Sequence, residues 1–251
     1  MSNSQTQNKK ANYPLVTIVT VVYNAKELLE ETILSILNQS YQNIEYIIID
    51  GGSIDGTLDV IKKYQNHISQ YISESDKGIY DAMNKGIALA KGQWLNFMNA
   101  GDSFYSNDVL QDVFSQEFNQ NISVVYGNTY IGHKILTYKP NLDLKDMAQG
   151  MMLCHQSTFY KLSSSIKYNL KYRICGDQDF TMQYFKLGRK SKYLDITISK
   201  YDLDGISYKS LNKILKEKIQ INKSYGLSYI PVIKSYIISI LVKLRRYFKG
   251  Y

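Results

Sequence analysis

Residues 16–50 read VTIVTVVYNAKELLEETILSILNQSYQNIEYIIID, and this stretch decides the fold of the chain. It opens with a continuous β-branched run over residues 16–22, which is typical of a strand buried on both faces. Apolar side chains then recur at helical spacing between residues 29 and 37, and Asn24 is predicted to cap that helix. A second buried strand is predicted over residues 44–49. The stretch therefore predicts a strand, a helix and a second buried strand.

The same alternation of strand and helix continues to residue 126. Further helices are predicted near residues 58–64, 80–90 and 107–118, and further strands near 68–73, 94–98 and 123–126. Alternation of this kind favours an α/β fold with a mostly parallel central sheet and helices on both of its faces. In such sheets ligands bind at the carboxyl ends of the strands. Polar side chains follow four of the predicted strands: Tyr23 and Asn24, then Asp50, then Glu74 to Asp76, then Asn99 with Asp102.

Beyond residue 127 the pattern is looser. It predicts a strand pair over 129–138, strands at 155–160 and 192–199, and helices at 177–187, 208–224 and 231–249. We therefore divide the chain into three parts. They are a flexible N-terminal tail (1–13), a catalytic domain (14–206, with a first half 14–126 and a second half 127–206), and a helical C-terminal segment (207–251).

The composition is that of an ordinary folded protein, with 251 residues of which 44% are hydrophobic and 21% charged. Cys154 and Cys175 are too few for a disulfide framework and lack the spacing of a metal site, so we expect two reduced thiols. We expect no signal peptide and no spanning helix, since no run of about 18 apolar residues occurs. The glycine fingerprints of dinucleotide-binding and P-loop proteins are also absent, which argues against those cofactors.

The positive charge of the chain is concentrated at one end. The formal net charge is +8, yet the C-terminal segment 207–251 holds ten lysines and arginines against one acid, Glu217. The body of the chain is therefore close to neutral. A nucleic-acid-binding protein more often has a basic body, so we expect no nucleic-acid partner. A basic segment on a neutral body favours docking to an anionic surface.

The predicted helix over residues 231–249 is amphipathic. Apolar side chains at Ile233, Ile237 and Ile240 fall on one face, and cationic side chains cover the rest. Such a helix is suited to lying in a membrane interface, where anionic lipid adds about 1 kcal/mol per well-placed cation. Two other interpretations remain open, namely a helix that packs on the catalytic domain and a contact in a dimer. The oligomeric state is not predicted.

Three ordered motifs point to one family. They are the stretch from residue 16 to IDGGSIDGT, the segment SESDKGIYDAMNKGIALAKGQWLNFMNAGD, and CGDQDF. Together they resemble the inverting nucleotide-sugar glycosyltransferases of family 2, with the GT-A fold, over roughly residues 14–205. The absence of the Q-x-x-R-W motif makes the chain similar to the small non-processive members. Those enzymes build capsule, O-antigen or exopolysaccharide.

The resemblance implies a donor site in the first half of the domain. Asp50 matches the carboxylate that reads the pyrimidine ring of UDP, and the segment from residue 76 to 85 flanks the ribose, diphosphate and sugar. The donor-binding residues implied in this way are Thr20, Tyr23, Asn24, Asp50, Ser53, Asp76, Lys77, Asn84, Lys85 and Asn99.

The resemblance also implies a divalent metal, Mn²⁺ or Mg²⁺. Asp102 matches the last carboxylate of the metal-binding motif, and hard cations of this kind prefer oxygen ligands. Asn99 and Gly101 stand where many relatives have aspartates. Either the donor diphosphate supplies much of the coordination, or metal dependence is weak.

In the second half, Asp177 matches the catalytic base, and Asp179 is the second candidate. A positioned carboxylate can take the proton from an acceptor hydroxyl, and a second acid nearby would raise its pKa. His155 is predicted to touch donor or acceptor, with a structural hydrogen-bonding role as the alternative.

The function implied is transfer of one sugar from a UDP-sugar to a glycan, with inversion. The implied acceptor is linked to a polyprenyl diphosphate, at the cytoplasmic face of the cell membrane. Two alternatives from other classes are kept. One is a catalytically inactive sugar-nucleotide-binding or scaffold protein, which Asn99 and Gly101 motivate. The other is a nucleic-acid-binding protein with a basic tail.

Overall fold

The computed structural model of the protein describes residues 13–149, 153–201 and 211–238. The strands are β1 Val16–Val22, β2 Ile44–Asp50, β3 Gln70–Ser73, β4 Trp94–Phe97, β5 Ser103–Phe104, β6 Ile122–Ile131, β7 Lys134–Leu136, β8 Thr158–Lys161 and β9 Lys190–Tyr201. The helices are α1 Lys26–Leu37, α2 Thr57–Lys63, α3 Ile79–Leu89, α4 Val109–Phe114, α5 Leu144–Ala148, α6 Gly176–Lys186 and α7 Leu211–Ser224. Residues 230–238 are also helical.

The strands form one mixed sheet in the order β3-β2-β1-β4-β8-β6-β9-β5, with β7 paired to β6. The first four strands of this order are parallel, as the alternation of the first hundred residues predicts. Beyond β4 the sheet is mixed, because β8 runs antiparallel to both β4 and β6 while β9 runs parallel to β6. The α/β fold with a helix-flanked central sheet is thus confirmed, and its parallel part is the first half.

Two apolar layers cover the sheet. Along β1, Ile18 faces the layer formed with α1 and α4, and Val19 faces the layer formed with α3 and α6. Alternate side chains of a strand point to opposite faces, so a strand with a layer on each side is apolar throughout. The continuous apolar run over Val16–Val22 therefore has the predicted cause.

Four local predictions need correction. The strand expected at 155–160 begins only at Thr158, because His155–Ser157 form a 3-10 helix. Asn24 does not cap α1, because the N-cap position is Ala25 and Asn24 has a left-handed backbone with φ +46°. The helix expected over 107–118 is only α4, Val109–Phe114. The strand β5 was not expected, since two residues carry no readable periodicity.

The helix α7 packs against the domain, whereas the interpretations of the helix predicted over 231–249 stay open. Glu217, Ile221 and Asn222 are buried, and the Asn222 side-chain N–H donates to the carbonyl of Ala148 at 2.8 Å. In the helical residues 230–238, Val232 is buried while Ile237 and Ile238 are 50% and 60% exposed. Within the described ranges, no helix combines the length and apolar character needed to cross a bilayer.

Several predictions fall on residues outside the described ranges. They concern residues 1–12 of the N-terminal tail, the boundary between residues 206 and 207, and the part of the amphipathic helix over 239–249.

Candidate active site

Loops after β1, β2 and β3 meet at the carboxyl edge of the sheet, where ligands bind in such folds. We call residues 23–24, 51–56 and 74–78 the donor rim. The N–H of Asn24 donates to Ser53 Oγ at 2.7 Å, and the N–H of Ile54 donates to Asn24 Oδ1 at 3.0 Å. The N–H of Lys26 donates to Asp55 Oδ2 at 3.1 Å. The loops after β1 and β2 are thus hydrogen-bonded to each other through Asn24 and Ser53.

Asp50 is the last residue of β2, next to the loop that contains Ser53, and it is fully buried. It accepts hydrogen bonds from Ser53 Oγ at 2.5 Å, from the Ser53 N–H at 3.2 Å and from Ser73 Oγ at 2.6 Å. These bonds compensate the burial of a charged group and fix its orientation. A nucleotide base that donated to this carboxylate would have to displace one of the serine hydroxyls.

Asp76 brings the third loop into contact with the first two. A Cβ atom at Gly51 would lie 2.6 Å from Asp76 Oδ2 and 3.3 Å from the ring of Tyr23, so a larger residue there would have to push the Asp76 side chain aside. Asp76 Oδ1 accepts from the Gly78 N–H at 2.7 Å. Tyr23 is 65% exposed and offers a ring face at the surface of the donor rim. Lys77 is exposed in the same loop.

Three residues that were expected to bind the donor use their polar side-chain groups in hydrogen bonds or ion pairs within the protein. The Thr20 hydroxyl is buried and lies 3.1 Å from the Tyr46 hydroxyl. The Asn84 side chain exchanges two hydrogen bonds with the backbone of Tyr168, at 2.9 and 2.8 Å. Lys85 Nζ pairs with Glu74 at 2.8 Å and donates to the Ser75 carbonyl at 3.1 Å. These contacts support the walls of the site, and a donor would have to break them to be bound directly.

The turn after β4 carries the predicted metal ligand. The Asp102 N–H closes this turn on the Asn99 carbonyl at 3.0 Å. The Asp102 side chain is buried, and its Oδ2 accepts from Gln156 Nε2 at 2.6 Å. Thr32, on α1, donates its hydroxyl to the Asp102 carbonyl at 2.7 Å. Asp102 is therefore held in place by residues from α1 and from the segment before β8.

The side chains around this turn fit a hard divalent cation only as a partial set. Asn99 Oδ1 is buried and has no hydrogen-bond partner among the described residues. An amide oxygen and a carboxylate are ligands that Mg²⁺ and Mn²⁺ accept. In the described ranges, however, no group of three or more His, Cys, Asp or Glu side chains is arranged for a metal. Asn99 and Asp102 would need oxygens from a bound diphosphate to complete a coordination sphere.

A histidine links this turn to the predicted base. His155 Nε2 lies 2.9 Å from Asn99 Nδ2, and His155 Nδ1 lies 4.0 Å from Asp177 Oδ2. An amide nitrogen can only donate, so Nε2 accepts and the imidazole proton is assigned to Nδ1, toward Asp177. Asp177 Oδ1 accepts from the Gln178 N–H at 2.9 Å, and the Asp177 side chain is 16% exposed. His155 thus makes a hydrogen bond to Asn99, and its contact with donor or acceptor stays a prediction.

Asp179 points away from Asp177. Side chains two residues apart on a helix, such as those of Asp177 and Asp179, point in directions that differ by about 200° around the helix axis. Asp179 is 5% exposed, and its carboxylate accepts from the Tyr225 hydroxyl and from Gln183 Nε2, both at 3.2 Å. Burial raises the pKa of Asp179 above its ordinary value. The carboxylate of Asp179 thus faces the segment after α7, on a different side of α6 from that of Asp177.

Residues 173–177, which we call the base wall, are held by side chains that the sequence did not single out. The Tyr80 hydroxyl donates to the Ile174 carbonyl at 2.8 Å and accepts from the Gly176 N–H at 3.0 Å. Glu217 accepts from three backbone N–H groups of the same segment. One signal was present for Glu217, because it is the single acid of a strongly basic segment. No periodicity marks Gln156, whose role depends entirely on tertiary contact.

Comparison with known proteins agrees with this architecture. The model of the family "Glycosyl transferase family 2" matches residues 17–196. A PGL/p-HBAD biosynthesis glycosyltransferase of Mycobacterium bovis is 29% identical over 230 residues, which cover 88% of this chain and 90% of that protein. An uncharacterized glycosyltransferase of Mycobacterium tuberculosis is 32% identical over 179 residues, which cover 68% of each chain.

Two solved structures share the fold. S. aureus TarS 1–349 in complex with UDP-GlcNAc has a TM-score of 0.67 at 16% identity, covering 82% of this chain and 65% of that chain. The mannosyltransferase PcManGT from Pyrobaculum calidifontis, in complex with GDP-Man and Mn²⁺, has a TM-score of 0.67 at 14% identity. The match covers 85% of this chain and 64% of that chain. This chain therefore spans just under two thirds of either solved chain. The match over residues 17–196, on a GT-A-like α/β fold, shows that the chain belongs to glycosyl transferase family 2.

Proposed function

We propose that the protein transfers a single sugar from a UDP-sugar to a glycan acceptor, with inversion at the anomeric carbon and with Asp177 as the base. One observation carries the proposal. The Asp177 carboxylate is partly exposed and faces His155, which in turn contacts Asn99 beside Asp102. A potential base is thus connected, through one imidazole, to the strand end where a donor diphosphate would lie.

In this mechanism Asp177 accepts the proton of an acceptor hydroxyl. The hydroxyl oxygen forms a bond to the anomeric carbon while the bond from that carbon to the diphosphate oxygen breaks. UDP leaves with the bonding pair, and the proton remains on Asp177 before it passes to solvent. A single displacement of this kind inverts the anomeric centre. His155 Nδ1 lies 4.0 Å from Asp177 Oδ2, and in this mechanism it closes on the carboxylate and orients it when the acceptor binds.

The choice of UDP is supported by Asp50 and by a relative of the same fold. Asp50 holds a buried carboxylate between Ser53 and Ser73, and the N–H of a pyrimidine would donate to it in place of one of the serine hydroxyls. TarS was solved with UDP-GlcNAc and with UDP, whereas PcManGT was solved with GDP-Man. UDP against GDP is therefore a direct test of the role of Asp50.

The proposed cofactor is Mn²⁺ or Mg²⁺, held by Asp102 and Asn99 Oδ1 together with the donor. A divalent cation, when bound, offsets the negative charge that develops on the departing diphosphate. Gln156 holds Asp102 toward this position through its hydrogen bond to Oδ2.

The proposed acceptor is a glycan on a polyprenyl diphosphate, within capsule, O-antigen or exopolysaccharide synthesis, at the cytoplasmic membrane face. The M. bovis relative is described as acting in PGL/p-HBAD biosynthesis, a related kind of glycan pathway. In the helical residues 230–238, Ile230, Ile237 and Ile238 are exposed next to Lys234. An apolar face beside cations is suited to an anionic lipid surface, so the protein is proposed to bind the membrane peripherally.

The base is tested with two neighbouring variants. UDP release from a panel of UDP-sugars is measured with polyprenyl-diphosphate-linked glycans, and the anomeric configuration of the product is read by NMR. Asp177→Asn should lower turnover about 10²- to 10⁴-fold, the range expected for loss of a general base, with UDP affinity retained. Asp179→Asn is the matched control and should keep turnover. UDP binding without turnover in the wild type would favour the inactive sugar-nucleotide-binding alternative.

Membrane docking is tested on the full chain by flotation with vesicles of anionic or neutral lipid. Ile237→Asp should weaken binding to anionic vesicles. Ile135→Asp is the matched control, since Ile135 is 51% exposed on β7, outside the C-terminal segment. Binding to duplex DNA in place of vesicles would favour the nucleic-acid alternative.

A further inference from the structure

Glu217 is a buried carboxylate that the proposed reaction does not use. It lies on α7. Its Oε1 accepts a hydrogen bond from the backbone N–H of Arg173, and its Oε2 accepts from those of Ile174 and Cys175, each at 2.9 Å. One side chain of the C-terminal segment thus satisfies three consecutive N–H groups.

These N–H groups belong to the segment that leads directly into α6. Residues 173–175 lie in a bend outside helices and strands, so their N–H groups rely on side chains for partners. The helix begins at Gly176, and Asp177 is its second residue. Buried backbone N–H groups are paired in nearly all native structures, because an unpaired one is as unfavourable as a lost hydrogen bond. The start of α6, and with it Asp177, is therefore fixed through the contact with Glu217.

The base wall is held from the opposite side as well. Tyr80, on α3, bonds both Ile174 and Gly176 through its hydroxyl, and its ring stacks on Tyr168 with centroids 5.0 Å apart. Arg173 Nη1 donates to the Lys77 carbonyl in the donor rim at 2.6 Å. Glu217 supplies the charged contact of this arrangement, and hydrogen bonds to a charged group are about twice as strong as neutral ones.

We propose that Glu217 is a positioning residue for the base, so that α7 is part of the catalytic unit. This inference rests on the proposed role of Asp177. Misplacement of a reacting group by about 1 Å can lower a rate about 10²-fold, even when its cause lies away from the chemistry. Loss of the Glu217 contacts should therefore act on turnover far more than on donor binding.

The test compares two isosteric substitutions. Glu217→Gln keeps the size of the side chain but turns one acceptor into an NH₂ donor that faces a backbone N–H. We expect kcat to fall roughly 10- to 100-fold, with the KM for the UDP-sugar and the Kd of UDP unchanged within about twofold. Glu45→Gln is the matched control. Glu45 Oε2 accepts from Thr17 Oγ1 at 2.6 Å and from the Lys91 N–H at 2.7 Å, at the opposite edge of the sheet. It should lower Tm without lowering kcat.

A double-variant cycle separates positioning from general destabilisation. With Asp177→Asn in place, Glu217→Gln should lower the residual turnover no further, because residues that act as one unit are not additive. A merely structural effect would add to that of Asp177→Asn. Glu217→Asp retains the charge and should have a higher kcat than Glu217→Gln. If Glu217→Gln does not fold, Glu217→Asp takes its place in the cycle and should show a smaller fall in kcat of the same kind.

Amide hydrogen exchange gives a readout that needs no turnover. Exchange at residues 173–175 should be faster in Glu217→Gln than in the wild type, and unchanged in Glu45→Gln. Equal kcat losses in the two single variants, additive effects in the cycle, or unchanged exchange at 173–175 would each overturn the proposal. Absence of turnover in the wild type would instead overturn the proposed function, and exchange would then report on the Glu217 contacts alone.

Discussion

The donor rim and the base wall differ in how far along the chain their supports lie. In the donor rim, Asn24 is bonded to Ser53, 29 residues away, inside a single strand–helix–strand unit. In the base wall, Gly176 is bonded to Tyr80, 96 residues away, and Cys175 to Glu217, 42 residues away. The Asn24–Ser53 contact of the donor rim thus forms within one supersecondary unit, and the rim reaches the base wall through the hydrogen bond from Arg173 Nη1 to the Lys77 carbonyl. The base wall, in contrast, exists only after α3 and α7 have packed. We expect the first to tolerate distant changes and the second to be sensitive to them.

The strongest test of this comparison is Gly176→Ala. A Cβ atom at Gly176 would lie 2.5 Å from Cε2 of Tyr80, so either the ring or the start of α6 must move. We expect turnover to fall by about 10²-fold or more while UDP binding is retained, since the donor rim is untouched. Calorimetric titration with UDP, run beside a turnover assay, checks that turnover falls while UDP affinity is retained.

Gly188→Ala provides the control at the other end of α6. A Cβ atom there meets nothing within 4 Å, although the backbone φ of +71° makes alanine strained by about 1 kcal/mol. It should lower Tm and leave turnover unchanged. A parallel fall in UDP affinity in Gly176→Ala would contradict the separation of the two regions.

The second test breaks the donor rim. Asp50→Ala removes the carboxylate that accepts hydrogen bonds from the hydroxyls of Ser53 and Ser73, so the loop after β2 loses the contacts that orient it. We expect UDP affinity to fall more than tenfold, a figure of about 1.4 kcal/mol or more. Ser73→Ala removes one hydrogen bond and should give a smaller loss. Equal affinities for UDP and GDP in the wild type would show that Asp50 does not read the base.

The third test concerns the turn that joins the two regions. Asp102→Asn keeps an oxygen for Gln156 but removes the negative charge. We expect UDP to bind more tightly with Mn²⁺ than with EDTA in the wild type, and this difference to shrink in the variant. Thermal shift with UDP, metal and both together measures it, because a ligand that binds the folded state raises Tm. UDP binding that is indifferent to Mn²⁺ in the wild type would remove the metal role of Asp102.

The smallest effect is expected at Asp179, on the side of α6 away from the site. Burial raises the pKa of Asp179, so folding favours its protonated form. Its contribution to stability is therefore present at low pH and is lost as the pH rises through the raised pKa. Relative to Asp179→Asn, which does not titrate, the wild type should lose stability as the pH rises. Denaturant midpoints across acid and neutral pH measure this trend, and a trend of the opposite sign would contradict it.

The same contrast explains what the sequence could predict. The apolar runs of β1 and β2 and the polar residues after them obey local periodicity, so the parallel half of the sheet and the positions of Asp50 and Asn24 were readable. Asn84 and Asp179 lie near the expected site in sequence, yet their side chains are committed to Tyr168 and Tyr225. Those partners lie 84 and 46 residues away and belong to irregular segments. No local pattern could show which way these two side chains turn.

The contact between Glu217 and residues 173–175 also sets an order of events during synthesis. A chain emerges from the ribosome from its N-terminus, at roughly 5–20 residues per second, and folds as it emerges. All residues of the donor rim have been synthesised once the loop after β3 is made. The base wall, in contrast, needs Glu217, which is synthesised 40 positions after Asp177. At those rates the delay is roughly 2–8 s. The position of Asp177, the proposed base, can therefore be set only after α7 has been synthesised and has docked.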